Sequence, residues 1–167
     1  MKFVSTVALL AVATALTAGC ASYEKPIPDN YTGPKATIRD SGAVQSSSLV
    51  HIFELTRIDG RKLRGSGIAT VSANQGRGFS QTPVILSNEV PAKALRIQIE
   101  GATMYAAPIL AMTNPTCRVG GEVELNAEPG KTYVVTGKLA AETCEVWVQD
   151  AATGAEVTTK VKSKGTK

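Results

Sequence analysis

From Lys35 onward, apolar residues recur at every second position of the chain rather than at every third or fourth. Three segments show this alternation most clearly: ALRIQIEG at 94–101, GEVELNA at 121–127 and KTYVVTGKL at 131–139. In the first of them, Leu95, Ile97 and Ile99 share one face and polar residues share the other. Because successive side chains of a strand point to opposite faces of a sheet, this period predicts half-buried β-strands.

The pattern predicts an all-β fold. Residues 48–56, SLVHIFELT, are apolar on both faces, which is typical of a more central strand. No window of twelve residues after Ala21 sustains a helical apolar stripe, so the domain is expected to be essentially all β. Turn signals separate the strands at Asp59-Gly60, Asn114-Pro115, Pro129-Gly130 and 150–154. Several short strands at this spacing predict an antiparallel β-sandwich, immunoglobulin-like or transthyretin-like.

The first segment of the chain has the order of a secretory signal. Lys2 precedes a run of sixteen uncharged residues, FVSTVALLAVATALTA, and small residues close the segment at Ala18-Gly19. A transmembrane helix is the rival interpretation, but the hydrocarbon core needs about 20 apolar residues. This run is shorter and contains serine and threonine, so residues 1–19 are predicted to be a signal peptide.

The end of the signal, LTAGC at 16–20, resembles the bacterial lipobox. The resemblance implies that Cys20 is lipidated and becomes the first residue of the mature chain. Thr17 stands where the pattern more often has Leu, and the alternative is an ordinary signal with a cysteine nearby. In similar lipoproteins an Asp after the cysteine retains the protein at the inner membrane. Ala21 therefore predicts a lipid anchor in the outer membrane, with the domain on the periplasmic face.

Cys117 and Cys144 remain after Cys20 is accounted for. Export places them in an oxidising compartment, where thiol pairs tend to close. Cys117 shares parity with Val119 and Cys144 shares parity with Val146, so both cysteines are expected on the apolar faces of their strands. These observations predict a disulfide within the core, and two buried free thiols are the alternative.

The mature chain of 148 residues suits one domain. Residues 20–34 are predicted to be a lipidated N-terminus and flexible tether, 35–161 the β-sandwich domain, and 162–167 a basic disordered tail. Four of the last eight residues are lysines, so the basic charge belongs mainly to this end. Basic residues spread over one face with interleaved aromatics are missing, which argues against nucleic acid as a partner.

The sequence offers no constellation for catalysis. His51 is the one histidine, and its place in an apolar strand favours a buried, hydrogen-bonded core residue over a catalytic base. RGSG at 64–67 is not a nucleophile elbow, and no strand–turn–helix pattern is expected around it. Residues 74–81, NQGRGFSQ, lack the spacing of a phosphate-binding loop and are interpreted as a flexible or bulged loop. One histidine and two oxidised cysteines do not make a zinc set, so no metal, no cofactor and no enzymatic activity are predicted.

Two places are candidates for contact with a partner. Trp147 falls on the same strand face as Glu145 and Gln149, opposite the face expected to point into the core. Tryptophan is also enriched at binding hot spots. The alternative, that a neighbouring loop or the tether covers the indole, is favoured. Arg77 and Phe79, which stand among glycines in the loop 74–81, are the second candidate.

GPKATIRDSG, NQGRGF, GATMYAAPI and CEVWVQDAATGAEV are similar to segments of a family of small, functionally uncharacterised proteobacterial lipoproteins. The resemblance covers roughly residues 33–158 and implies no activity; it also implies that Ala36 and Ile38 begin the first strand. The expected function is therefore a non-enzymatic binding or structural role in the cell envelope. The alternatives are an inhibitor of an envelope hydrolase such as lysozyme, and an accessory subunit of a secretion or assembly system.

Overall fold

The computed structural model describes residues 22–140 and 142–165, so the predictions made for Cys20 and the signal peptide lie outside the described residues. Twelve elements follow one another in this part of the chain. They are β1 (Lys35–Arg39), β2 (Ser41–Ser46), β3 (Leu49–Ile58), β4 (Arg61–Lys62), α1 (Ser66–Ala73), β5 (Ser87–Pro91), β6 (Ala94–Tyr105), α2 (Pro108–Thr113), β7 (Arg118–Asn126), β8 (Thr132–Leu139), β9 (Cys144–Asp150) and β10 (Val161–Ser163).

The strands form two sheets that pack face to face. Sheet A has the order β10-β9-β8-β1-β5, and sheet B has the order β2-β3-β6-β7 with β4 paired to β3. The predicted all-β antiparallel sandwich is confirmed, with a single parallel pair, β1 beside β8, among the described strands. The chain passes from sheet A to sheet B between β1 and β2, where one residue, Asp40, separates the two strands.

The period-two pattern accounts for the core between the sheets. Leu95, Ile97 and Ile99 of β6 are buried against sheet A, while Tyr133 and Val135 of β8 are buried from the other side. Burying one such side chain contributes about 1.5–3 kcal/mol relative to leaving it exposed. The alternation predicted for these strands is therefore confirmed.

Two glycines make room for the buried Phe53 ring of sheet B. Phe53 on β3 lies directly opposite Gly101 on β6, and a Cβ at Gly101 would stand 2.9 Å from the Phe53 ring. A Cβ at Gly137 on β8 would collide with the same ring and with the carbonyl oxygen of Glu145. The ring therefore fills space that side chains at Gly101 and Gly137 would otherwise occupy.

β3 is buried on both faces, as predicted. Val50 and Ile52 point away from the sandwich interior and are nevertheless fully buried, because the connection from β4 to β5 folds back over this face. That connection contains α1, and α2 follows β6, so the essentially all-β domain also includes two short helices among its described residues. Both helices are short and neither carries the wide apolar stripe by which a helix is recognised in sequence.

The ends of the domain extend beyond the predicted boundaries. The segment expected to be a tether contacts the domain, since Glu24 N–H donates to Lys62 O at 2.8 Å and Ala92 N–H donates to Pro34 O at 2.9 Å. At the other end, β10 includes Lys162 and Ser163, which pair with β9. The boundary drawn at residue 161 therefore falls inside a strand.

The disulfide joins Cys117 to Cys144, as predicted. Cys117 directly precedes β7 in sheet B and Cys144 begins β9 in sheet A, with 6.3 Å between their Cα atoms. The bond therefore links the two sheets at one end of the sandwich.

The double variant Cys117→Ala/Cys144→Ala is expected to fold with a free energy of unfolding lower by about 2–5 kcal/mol, since the unfolded chain regains the entropy of a closed loop. Urea denaturation measures the change. Wild-type protein with the disulfide reduced is the matched control and should show a similar loss. Equal stability of the oxidised wild type and the double variant would contradict the prediction.

Candidate functional site

The strands run between two opposite ends of the domain, which are called the entry pole and the far pole. The entry pole, residues 24–35, 59–62 and 126–131, gathers the start of the described chain, the β3–β4 turn and the β7–β8 turn; Gly130 N–H donates to Lys35 O at 2.8 Å. The far pole, residues 46–49, 105–117, 139–140 and 142–144, gathers the β2–β3 hairpin, α2 and the disulfide. β6 runs between the poles, and its twelve residues span about 40 Å.

A small pocket opens between the sheets at the far pole. It encloses about 260 Å³, and its lining includes Leu49, His51, Thr103, Tyr105 and Leu139 together with the disulfide residue Cys117. Apolar walls with a few polar groups are usual for a pocket that takes a small ligand or a single side chain of a partner. This pocket holds the only histidine of the chain.

His51 is half-buried at the pocket and not in the core, which corrects the expectation of a buried, hydrogen-bonded histidine. Its ring makes no hydrogen bond with the part of the chain that the structure describes. Burial lowers the pKa of His51 below its usual value, so the imidazole is neutral at pH 7. The physical reason for the difference is position, because His51 lies near the far end of β3, where the sheets open.

A buried carboxylate organises the opposite side of β3. Asp40 is fully buried; its Oδ1 accepts Leu55 N–H at 2.9 Å, and its Oδ2 accepts the Ser66 hydroxyl at 2.6 Å and Ser66 N–H at 3.3 Å. Ser66 Oγ in turn accepts Leu86 N–H at 2.8 Å. Burial raises the pKa of Asp40 to about 6, although the hydrogen bonds from Ser66 and Leu55 act to lower it.

The RGSG segment does lie in a strand–turn–helix arrangement, contrary to expectation. α1 begins at Ser66, four residues after β4 ends. The hydroxyl of Ser66 is nevertheless fully buried and bonded to a carboxylate, whereas a nucleophile needs an accessible position beside a general base. His51 faces the far-pole pocket between the sheets, while α1 lies on the other face of β3. The segment therefore has a structural role, because it bonds the start of α1 to Asp40.

A second carboxylate also caps α1. Gly67 N–H donates to Glu54 Oε2 at 2.6 Å, while the local N-cap residue, Gly65, contributes no side-chain bond. Burial raises the pKa of Glu54, with Glu100 raising it further and Arg118 lowering it. A Cβ at Gly65 would collide with the Glu54 carboxylate, so glycine is required for this close approach. The start of α1 is thus held by carboxylates from distant parts of the chain.

Trp147 lies on the outer face of β9 and is half-buried. The Lys160 ammonium stands 4.4 Å from the centroid of its ring, and the indole Nε1 is buried without a hydrogen-bond partner among the described residues. The segment before β10 therefore covers the ring. This agrees with the interpretation that a neighbouring loop or the tether covers the indole, and the covering segment is a loop and not the tether.

The other predicted contact residues lie in an ordered loop. Asn74 Nδ2 donates to Thr82 O at 2.8 Å and Asn74 Oδ1 accepts Thr82 N–H at 2.8 Å, so one side chain closes the base of the loop 74–81. Gln81 then fastens the loop to the far pole, donating to Ser47 O at 2.9 Å from its backbone. Phe79 is 64% exposed and Arg77 is exposed. This loop belongs to the side of sheet B, so it does not share a site with Trp147.

Sequence reasoning missed the exposed apolar surface of α2. The helix has no buried residue; Ile109 is 55% exposed and Met112 is 80% exposed. Pro108 at the start of the helix was the available signal, since proline is favoured in the first helical turn. α2, the far-pole pocket and the anchored end of the loop 74–81 together make the far pole the candidate binding surface.

Within residues 22–140 and 142–165, no group of three or more His, Cys, Asp or Glu side chains is arranged to hold a metal ion. No helix of the same part of the chain is long and apolar enough to cross a membrane.

No family model matches the chain, and neither a curated protein nor a solved structure shows significant similarity to it.

The pKa of Asp40 predicts an unusual pH dependence of stability. The folded pKa of about 6 lies above the unfolded value of 3.8, so between these pH values the folded state binds more protons than the unfolded state. Stability contributed by the protonated carboxyl is therefore complete below about pH 4 and is lost as the pH rises through 6. The difference corresponds to about 3 kcal/mol.

Asp40→Asn removes this titration, and urea denaturation from pH 4 to pH 7 measures it. Over this range wild type should lose about 2.4 kcal/mol more than Asp40→Asn does. Asp29→Asn is the matched control, because Asp29 is exposed and its pKa is lowered, so it should follow wild type. Parallel pH profiles of wild type and Asp40→Asn would contradict the prediction.

Proposed function

We propose that this protein is an outer-membrane lipoprotein whose β-sandwich has a non-enzymatic binding role on the periplasmic face of the cell envelope. The observation that carries the proposal is the apolar run that ends in LTAGC, with Cys20 as the lipidated residue and Ala21 after it. Two or three acyl chains on one cysteine would make release from the membrane very slow.

The arrangement of the two poles supports a binding role. Four residue steps separate Cys20 from Glu24, which is bonded to β4, and they extend over at most about 15 Å. The entry pole would therefore sit close to the lipid. The far pole, about 40 Å away along β6, would face away from the membrane with its pocket and its exposed Ile109 and Met112. A partner protein of the envelope, rather than the lipid surface, would meet this pole.

The absence of an enzymatic role is part of the proposal. Among the described residues, His51 lies in a pocket with Thr103 and Tyr105, and no carboxylate lines that pocket to orient the imidazole. The buried Ser66–Asp40 pair lies on the other side of β3. Within the described part of the chain, these groups are therefore not brought together as nucleophile, base and orienting group.

Lipidation can be tested by growing cells with labelled palmitate. Wild type should be labelled, and Cys20→Ser should be unlabelled, because the acylated atom is the Cys20 sulfur. Thr17→Leu is the matched control, since it brings the segment closer to the lipobox and should keep the label. Equal labelling of wild type and Cys20→Ser would refute the anchor.

Inhibition of an envelope hydrolase is a second candidate, and the loop 74–81 favours it. An inhibitory loop presents an exposed charged or aromatic residue on a backbone that is already ordered, because ordering on binding costs affinity. Asn74 closes this loop, Gln81 docks it, and Arg77 and Phe79 project from it. The remaining alternative, an accessory subunit of a secretion or assembly system, would use the far pole as its docking surface.

The inhibitor candidate predicts that the full-length protein in detergent slows lysozyme. Arg77→Ala/Phe79→Ala should weaken this inhibition by about 30-fold or more, the effect of losing a binding hot spot. Its melting temperature should stay near that of wild type, because both side chains are exposed. Tyr23→Ala, which removes an exposed aromatic beside Lys62 of the entry pole, should inhibit like wild type. No inhibition by wild type, or equal inhibition by wild type and Arg77→Ala/Phe79→Ala, would remove this candidate.

A further inference from the structure

β7 forms one edge of sheet B, and half of its backbone groups have no partner among the described strands. Ala127 N–H donates to Lys93 O at 3.0 Å and Thr103 N–H donates to Cys117 O at 2.8 Å, which fixes the odd-numbered residues as those bonded to β6. The even-numbered residues therefore direct their N–H and C=O groups outward. For Glu122 and Glu124, the described chain provides no backbone partner on that side.

The outward edge faces an open groove of about 760 Å³. One wall is the β7 stretch 122–126, and the other is the segment 156–159, which is bonded to β9 through Val157 N–H and Val148 O at 2.9 Å. The groove narrows where β10 approaches β7, since a Cβ at Gly121 would stand 3.0 Å from Val161. The free length is therefore about five residues of β7, from Glu122 to Asn126.

The side chains along the groove give it a negative character. Its lining includes Glu122, Glu124 and Glu156, and no basic residue of the described chain belongs to it. Arg96 and Lys160 approach from outside; Arg96 stands 3.7 Å from Glu122 and Lys160 stands 2.6 Å from Glu156. Glu124 has no cation within salt-bridge distance among the described residues. Exposed charges on an edge strand also discourage aggregation, so the glutamates alone do not define a site.

The protein itself contains a segment of the kind that could add to the β7 edge, namely β10. β10 belongs to the stretch Lys160–Lys164, in which every second residue is lysine. It adds to the edge of β9, and its Lys162 pairs with Glu145 directly across the ladder at 2.9 Å. An extended lysine-rich segment thus already binds a glutamate-bearing strand edge in this fold.

We propose that the β7 edge binds an extended, lysine-rich peptide segment of a partner protein by strand addition over Glu122–Asn126. Backbone hydrogen bonds to the outward groups of Glu122 and Glu124 supply the affinity, and the three groove glutamates select positive charge. The site is separate from the far pole and from the loop 74–81, and it does not depend on the lipid anchor.

The test uses the ¹⁵N-labelled full-length protein in detergent micelles and the peptide acetyl-Lys-Val-Lys-Thr-Lys-amide. At saturation, amide hydrogen exchange at Glu122 and Glu124 should slow at least tenfold, because these N–H groups become bonded. Exchange at Val123 and Leu125 should change little, because their N–H groups are already bonded to β6. Failure to bind at millimolar peptide, or binding that leaves Glu122 and Glu124 unprotected, would overturn the proposal.

Two control peptides separate strand addition from simple charge attraction. Replacing the three lysines with glutamate should abolish binding, whereas equal binding would overturn the charge selection. Methylating all five backbone amide nitrogens of the peptide keeps the charge but removes the backbone donor of every residue, so it should weaken binding at least tenfold. Equal binding of the N-methylated peptide would show charge attraction only and would overturn strand addition.

A pair of variants tests the protein side. Glu124→Pro removes one outward N–H without touching the bonds to β6 and should weaken binding at least tenfold. Glu124→Gln keeps the N–H and should weaken binding only a few-fold. If Glu124→Pro does not fold, Glu122→Gln/Glu124→Gln replaces it and should lose the preference for the lysine peptide over a neutral Gln-Val-Gln-Thr-Gln peptide. Retention of full binding by Glu124→Pro, or of that preference by the double variant, would contradict the proposal.

Discussion

Asp40 is the one residue between the last strand position of β1 in sheet A and the first of β2 in sheet B, and its buried carboxylate holds this crossover in place. β2 and β4 both pair with β3 but leave a gap between them, and Leu55 N–H falls in that gap. Asp40 Oδ1 accepts this N–H, so the carboxylate replaces a missing strand. A buried N–H left without a partner would cost about 1–3 kcal/mol.

The same carboxylate positions the elements that cover the outer face of β3. Through Ser66 it fixes the start of α1, and Ser66 joins it to Leu86 just before β5. The loop 74–81 lies between α1 and Leu86, both of which Ser66 and Asp40 hold in place. The position of the exposed Phe79 therefore also depends on the Asp40 carboxylate. One charged group in the interior thus connects both sheets, a helix and a candidate contact loop, and its burial is the reason for its raised pKa.

The strands and the disulfide could be predicted from the sequence, because both follow from the alternation of apolar and polar residues along each strand. Leu95, Ile97 and Cys117 point inward, as this alternation requires. The sequence was insufficient for α1, whose caps are Asp40 and Glu54 rather than a residue next to the helix. It was also insufficient for the half-buried position of His51, since the alternation gives the face of a side chain but not its distance from the end of the sandwich. Contacts between residues distant in sequence decide each of these points.

The role of Asp40 as the crossover joint can be measured directly by following its ¹³Cγ chemical shift by NMR as a function of pH in the folded protein. A buried carboxyl at this joint should titrate with a pKa of about 6, and the amide signals of Leu55 and Ser66 should shift with the same midpoint, because both N–H groups are bonded to it. A midpoint at or below the ordinary value of about 3.9, or amide signals that do not follow the carboxyl, would contradict this account.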